Sequence, residues 1–357
     1  MLNKIQKLIK SEAKLLNRKV KIMEVCGTHT ASILRYAIPQ MLPKNIELVS
    51  GPGCPVCVTS ASDIDKIHFL TKTDDVIIAT FGDMLKVRGS KGSLSDARLK
   101  GAQVDVIYSP LQALEIAKNN PNKKVILIAC GFETTAPAFA ETLKEAGSQP
   151  LANKQNIKNL FVLNMLKIVP PAMDAILSSE NDLDAFLLPG HVSVITGADY
   201  FKFIAEKFQK PATVTGFKAD EILLGILALL KRLNQKKPTI DNTYSNVVKA
   251  GGNKLAMQKI FEVFEVADVS WRGFGIIPNS GLELKKEYEK FSAIKHFNIP
   301  EIHTPEPKGC MCADVLKGKI TPNQCKLFGK VCTPQNAVGP CMVSSEGCCR
   351  AWFLYKS

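Results

Sequence analysis

Short runs of β-branched and aliphatic residues alternate with helix-period segments over roughly the first two thirds of the chain. They are KIMEV from 21, IELVS from 46, DVIIAT from 75, VDVIYS from 104, KVILIA from 124, LFVLN from 160, AFLLP from 185 and ATVTGF from 212. Runs that are apolar on both faces and separated by helices predict parallel strands in open α/β sheets. Eight strands suit one sheet or two four-stranded ones, and the Pro- and Asn-rich connection AKNNPNKK at 117–124 falls midway. That favours two tandem parallel-sheet, Rossmann-like α/β domains over residues 1–120 and 121–240. Beyond LNQKKPTIDN the pattern changes. NKLAMQKIFEVFEV and LELKKEYEKFSAIKHF read as helices around WRGFGIIPNSG, and from 304 onward Pro, Gly and Cys replace periodicity. A third, helical and loop-rich domain over 241–357 is expected, with too few large apolar residues to hold itself without a metal or cross-links.

At the N-terminus, Leu2, Ile5, Leu8, Ile9, Ala13 and Leu16 share one helical face opposite lysines. This predicts a helix docked on its own domain, since the stretch lacks the apolar core and cleavage site of a secretory signal. The longest apolar run, ILLGILALL at 222–230, is far shorter than the ~20 residues a bilayer requires. A soluble, cytoplasmic protein with no membrane partner is expected. Net charge is +13, but the lysines are scattered and no aromatic-interleaved basic stripe occurs. A solvated surface explains them better than nucleic acid does.

The chain has 11 cysteines, and without a secretion signal they point to metal or redox chemistry. Cys26, Cys54, Cys57 and Cys130 lie early and the other seven fall between Cys310 and Cys349, so two thiol sites are implied. Unusual residues follow the strands: CGTHT the first, GPGCPVC the second, FGD the third, CGFETT the fifth and PGHVS the seventh. The carboxyl ends of parallel strands form the crevice where ligands bind, so these loops should converge. In GPGCPVC, Gly51 and Gly53 supply a tight turn. Cys54 opens a helix whose dipole stabilises a thiolate, and Cys57 follows as a redox partner, half of a metal site or a buried residue. Cys26 and His29 offer a thiolate and an imidazole to iron or zinc, or a nucleophile and its base. Glu133 opens a helix, as a dipole partner or an acid–base group. His191 at a strand end is either a buried hydrogen-bonding group or a functional one. TFGDMLKVRGSKGSLSDARLKG lacks the order of a phosphate loop and reads better as a mobile surface or partner-docking loop.

The tail contains no Cys-x-x-Cys pair, which argues against zinc knuckles. Cys310, Cys325, Cys332 and Cys349, separated by 14, 6 and 16 residues, suit a [4Fe-4S] cluster in loops stiffened by Pro322, Pro334 and Pro340. Two of Cys312, Cys341 and Cys348 would then be free to form a redox pair.

Together MEVCGTHT, SGPGCPVCVT, TFGDMLKVRGS, GFETTAP, PGHVSVITG, WRGFGIIPNSGL and CTPQNAVGPCMVSSEG resemble the HypD family of [NiFe]-hydrogenase maturation proteins, in order and over nearly the whole chain. The resemblance implies two α/β domains and a third carrying a [4Fe-4S] cluster. It implies a scaffold on which an Fe(CN)2CO group is assembled with a small HypC-type chaperone. Cyanide would come from a HypE-type partner, and the group would pass to the hydrogenase large subunit. By position, Cys26 would be a ligand of the nascent iron with His29 beside it, Cys54 and Cys57 a thiol pair facing the same cleft, and Glu133 and His191 acid–base groups lining it. Cys312 and Cys341 would be the redox pair beside the cluster. The chain departs from the family pattern at Ala313–Asp314 and at Cys130. It also offers Cys348 beside Cys349 as fourth cluster ligand, the pattern favouring Cys349. From another class, a free-standing thiol–disulfide oxidoreductase using Cys54 and Cys57 is the alternative, followed by a zinc-stabilised nucleic-acid-binding protein.

Overall fold

The computed structural model describes residues 2–147 and 157–355. Its strands in chain order are β1 (Val20–Glu24), β2 (Ile46–Ser50), β3 (Val76–Thr80), a two-residue ribbon β4 (Arg88–Gly89) and β5 (Gly92–Ser93), β6 (Gln103–Val106), β7 (Lys124–Gly131), β8 (Leu160–Leu166), β9 (Ala185–Leu188), β10 (Ala212–Val214), β11 (Ile240–Asn242), β12 (Phe264–Trp271) and β13 (Gly275–Leu284). All eight apolar runs form strands, and two parallel sheets result, ordered β11-β10-β9-β1-β2 and β6-β3-β7-β8. The reason is the one expected: β3 and β9 are buried at every position, which requires cover on both faces.

The sheets are nested along the chain. The five-stranded sheet takes residues 20–50 and 185–242, and the four-stranded sheet takes the intervening 76–166. The Pro- and Asn-rich connection at 117–124 therefore joins β6 to β7, which flank β3 within one sheet, and does not separate two sheets. The fifth strand of the larger sheet, β11, is short and half-exposed throughout, so it lacks the apolar signature that marks the others.

The segment after 250 is less helical than its periodicity predicts. A helix runs over Lys254–Val263, capped by Asn253 through the Ala256 N–H, but FEV then continues as β12, paired antiparallel with β13. FEVFEV satisfies both helical spacing and strand alternation. Packing decides between them: Phe264 and Trp271 are buried at the two ends of β12, and the Trp271 indole N–H donates to Ser280 Oγ at 2.8 Å. Gly273 and Gly275, both at φ +77°, make the turn in a conformation that only glycine adopts freely. Residues expected as one helix to 297 form β13, a 3-10 turn over Lys286–Phe291 and a short helix over Ala293–His296.

The N-terminal helix Leu2–Leu16 docks as expected. Ile5, Ile9 and Ala13 pack with Ile222 and Ile226 of helix Ala219–Asn234 against Ile22 and Leu187 of the larger sheet. Among the described residues no helix is long and apolar enough to cross a membrane. One continuous apolar core joins the two sheets and the cysteine-rich segment: Met23 and Val49, Ile78 and Ile126, and Leu316 and Met342 all belong to it.

Candidate functional site

The strand-end loops meet as the alternation predicts, around a cleft of about 560 Å³ between the two sheets. Cys26 and Cys54 follow β1 and β2, Asp83 follows β3, Cys130 and Thr134 lie at the end of β7, and His191 follows β9. Glu346 and Ser344 of the cysteine-rich segment close the remaining wall.

The first two loops are bound to each other through their backbones. The Gly27 N–H donates to the Gly53 carbonyl at 3.0 Å and the Gly51 N–H to the Glu24 carbonyl at 2.7 Å. A Cβ on Gly53 would lie 2.2 Å from the Cys26 nitrogen, so only glycine permits this approach. Cys54 caps the four-residue helix Pro55–Val58, its Sγ accepting the Cys57 N–H at 3.3 Å. The helix dipole does not make these thiols acidic, however. Burial pushes Cys54 above its ordinary value, Cys57 well above it, and Cys26 up to about 12. The desolvation of a charge in apolar surroundings exceeds what one short helix offers. Such thiols ionise on binding a soft cation, which replaces the missing solvation.

Two further carboxyls stand by the site, inside MEVCGTHT and CTPQNAVGPCMVSSEG but with no chemistry that singled them out in the sequence. Glu24 ends β1 and is buried; its Oε2 accepts the Cys26 N–H at 3.0 Å and its Oε1 accepts the Thr30 hydroxyl. Burial raises it to about 8 against these hydrogen bonds. The signal was an acid closing an otherwise apolar strand. Glu346 accepts the Thr28 hydroxyl at 2.6 Å, while Ser344 Oγ donates to Asp83 Oδ2 at 2.7 Å. No local pattern announces this, because the partners lie some 260 to 320 residues apart.

The remaining sequence candidates divide. His191 is exposed in the cleft and stacks on Phe217 at 4.1 Å. His29 is fully buried and does not line the cleft. Its Nε2 faces the Gly216 carbonyl at 3.0 Å, its ring lies 4.7 Å from Phe217, and burial lowers it to about 4. It is neutral at pH 7, and its Nδ1 has no hydrogen-bond partner among the described residues. Glu133 also turns away from the cleft: its Oε1 accepts the Val169 N–H at 3.0 Å, at the start of helix Val169–Ser178, and burial raises it to about 7. Cys130 faces the cleft 3.4 Å from Thr59 Oγ1.

A second thiol cluster lies in the C-terminal segment. Cys310, Cys312, Cys325, Cys332 and Cys349 surround one small space walled by Val315, Leu327, Phe328 and Met342. Cys310 and Cys312 are 3.2 Å apart, and a Cβ on Gly339 would lie 2.6 Å and 2.7 Å from their sulfurs. Cys348 does not line this space. It opens the helix Cys348–Tyr355, which packs on the turn Pro340–Met342 that carries Cys341; the same turn packs against the helix Pro55–Val58 that carries Cys57. The two thiol sites are thus neighbours through the elements that carry Cys57 and Cys341. Among the described residues no group of three or more His, Cys, Asp or Glu is arranged to hold a single metal ion.

Nested parallel sheets, a buried Cys-x-x-Cys loop at the strand ends and a cysteine-lined pocket against it define a thiol-rich α/β protein with paired cysteine sites. The family model labelled HypD, described as "Hydrogenase formation hypA family", matches residues 1–356. A putative hydrogenase expression/formation protein of Methanocaldococcus jannaschii is 43% identical over 354 residues, covering 99% of this chain and 97% of that protein. The hydrogenase maturation factor HypD of Escherichia coli is 41% identical over 341 residues, covering 95% of this chain and 90% of its own. That of Azotobacter vinelandii is 38% identical over 346 residues, with 95% and 90% covered. The chain belongs to the HypD family of hydrogenase maturation factors.

Proposed function

We propose that this chain is the scaffold on which the Fe(CN)2CO group of [NiFe]-hydrogenase is assembled, the iron being its cargo. The observation that carries this reading is the convergence of Cys26 and Cys54 on one cleft with His191, where thiols and a polar group can meet a single small ligand set. Cyanide and CO favour low-spin Fe(II), for which a thiolate is a suitable soft donor. Cys26 acts as the protein ligand. Glu24, bonded to the Cys26 N–H, fixes the loop that carries it, and His191 offers a neutral imidazole at the cleft wall. Cys54, which lines the cleft, holds or reduces at the same site, with Cys57 fully buried behind the cleft wall rather than facing it. A small HypC-type chaperone shares the iron, a HypE-type partner delivers cyanide, and the hydrogenase large subunit receives the group. The cytoplasm suits eleven thiols that must stay reduced.

The donor set of the second pocket fits a [4Fe-4S] cluster: thiols on several loops, an apolar wall and a glycine admitting two sulfurs at one edge. Cys310, Cys325, Cys332 and Cys349 would hold it. When bound, such a cluster supplies one-electron redox chemistry. Cys312 lines the same pocket as those ligands, and Cys341 sits in the turn that packs on the helix of Cys57. A free-standing oxidoreductase is less well supported, because Cys54 is 3% exposed and Cys57 0%, whereas attack on a general disulfide needs an accessible thiolate.

The test is infrared spectroscopy of the chain co-purified with its chaperone. Cyanide and carbonyl stretches are expected and should vanish in Cys26→Ala. Their persistence in that variant would move the iron elsewhere.

A further inference from the structure

The larger sheet ends on a free edge that the proposed iron site does not use. Among the described residues β2 pairs with β1 alone. The Val20 N–H bonds the Asn45 carbonyl and the Gly51 N–H bonds the Glu24 carbonyl, so residues 45, 47, 49 and 51 turn their backbone groups toward β1. In a parallel ladder the alternate residues turn theirs outward. Leu48 and Ser50 therefore present N–H and C=O groups that are unpaired among the described residues to a groove of about 370 Å³. Its far wall is built by Thr321, Asn323 and Trp352 of the C-terminal segment. An open strand edge is a template for another chain unless it is blunted. This one has no proline or bulge along it.

The groove has polarity. Lys19 and Lys44, both exposed, lie where β1 and β2 begin, and neither forms a salt bridge among the described residues. At the other end lie Ser50 and Glu24, one residue short of the cleft loops. Glu47 is exposed between them. We propose that this edge binds an extended peptide with a free C-terminal carboxylate, added as a sixth strand antiparallel to β2. The carboxylate lies between Lys19 and Lys44, the backbone pairs with Leu48 and Ser50, and a basic side chain upstream faces Glu47. An antiparallel strand on the margin of a parallel sheet is a common arrangement. That direction puts the peptide's C-terminus at the far end of the sheet and its body beside the cleft mouth, so the donor is the tail of a protein docked over the cleft.

The probe is a library of random peptides of about eight residues, an ordinary strand length or slightly more, displayed with free C-termini and selected on the full chain. A selected sequence is then synthesised as acid and as amide. The acid should bind on the order of tenfold more tightly than the amide, as expected for a charge-assisted contact. The double variant Lys19→Glu/Lys44→Glu should lose that preference at an unchanged melting temperature. In hydrogen exchange the acid peptide should slow the amides of Leu48 and Ser50. Failure to select any free-terminus binder, equal binding of the amide, or protection confined to another surface would each overturn the proposal. Binders that use an internal acidic residue would be recognised by their indifference to amidation, and they count against it.

Discussion

Glu133 keeps one oxygen on the Val169 N–H and leaves the other buried without a partner among the described residues. Burial raises its carboxyl from 4.5 to about 7. The unfolded chain releases this proton near 4.5 and the folded chain holds it to about 7, so the contribution to stability is full below 4.5 and is lost as pH rises to 7. The loss amounts to about 3 kcal/mol by linkage. Glu133→Gln keeps an acceptor for Val169 and removes the charge. In urea unfolding its advantage over the parent should be small at pH 5 and reach about 2–3 kcal/mol at pH 8. A difference that does not change with pH would contradict the burial argument. The same residue shows why site chemistry is only partly legible in sequence. GFETT marks a strand end correctly, yet whether an acid there faces the cleft or the next helix depends on a partner 36 residues away. The cleft positions of Cys26, Cys54 and His191 followed from the strand-end rule alone, whereas nothing within MEVCGTHT or CTPQNAVGPCMVSSEG distinguishes Glu24 or Glu346 until their partners are known.

At the scale of elements, the two cleft loops form one unit because Gly53 lets β1 and β2 end against each other. An added methyl at 53 would meet the Cys26 nitrogen and, at 2.4 Å, its Cα. Both are backbone atoms that cannot turn aside. Gly53→Ala should therefore cost about 1–3 kcal/mol and separate Cys26 from Cys54. The expected outcome is a chain that still folds, by circular dichroism, but carries no cyanide or carbonyl bands. Retention of both bands and stability would show that the loops are not coupled this way. The parallel strands were readable because burial on both faces leaves an unbroken apolar run. The hairpin of β12 and β13 was not, because FEVFEV fits both periods and only the docking of Phe264 and Trp271 chooses between them. The nesting of the sheets was equally hidden. Strand order depends on which edges pair, and the run at 185 is no more marked for β1 than for β8.

At the scale of the whole molecule, residues 341–349 belong to both thiol sites at once. Cys341 sits in the turn that packs on the helix of Cys57, and Cys349 lines the cysteine pocket. Between them Ser344 holds Asp83 and Glu346 holds Thr28 across the cleft. Gly27 lies so close to this strap that a Cβ there would be 2.4 Å from the Glu346 carbonyl oxygen. Anything that loosens Cys349 should therefore be felt at Cys26. Cys349→Ser should lower the iron of the anaerobically purified chain from the ~4 atoms of a full cluster. It should also speed hydrogen exchange at Gly27 and Gly53 together with residues 343–347. Cys348→Ser is the control, since Cys348 lies outside the pocket and should leave the iron near the parent level. The reverse order, with Cys348→Ser losing iron and Cys349→Ser keeping it, would exchange their assignments. Loss of iron from Cys349→Ser with exchange at Gly27 unchanged would mean that the strap closes the cleft through Asp83 and Thr28 alone, without help from the cysteine pocket.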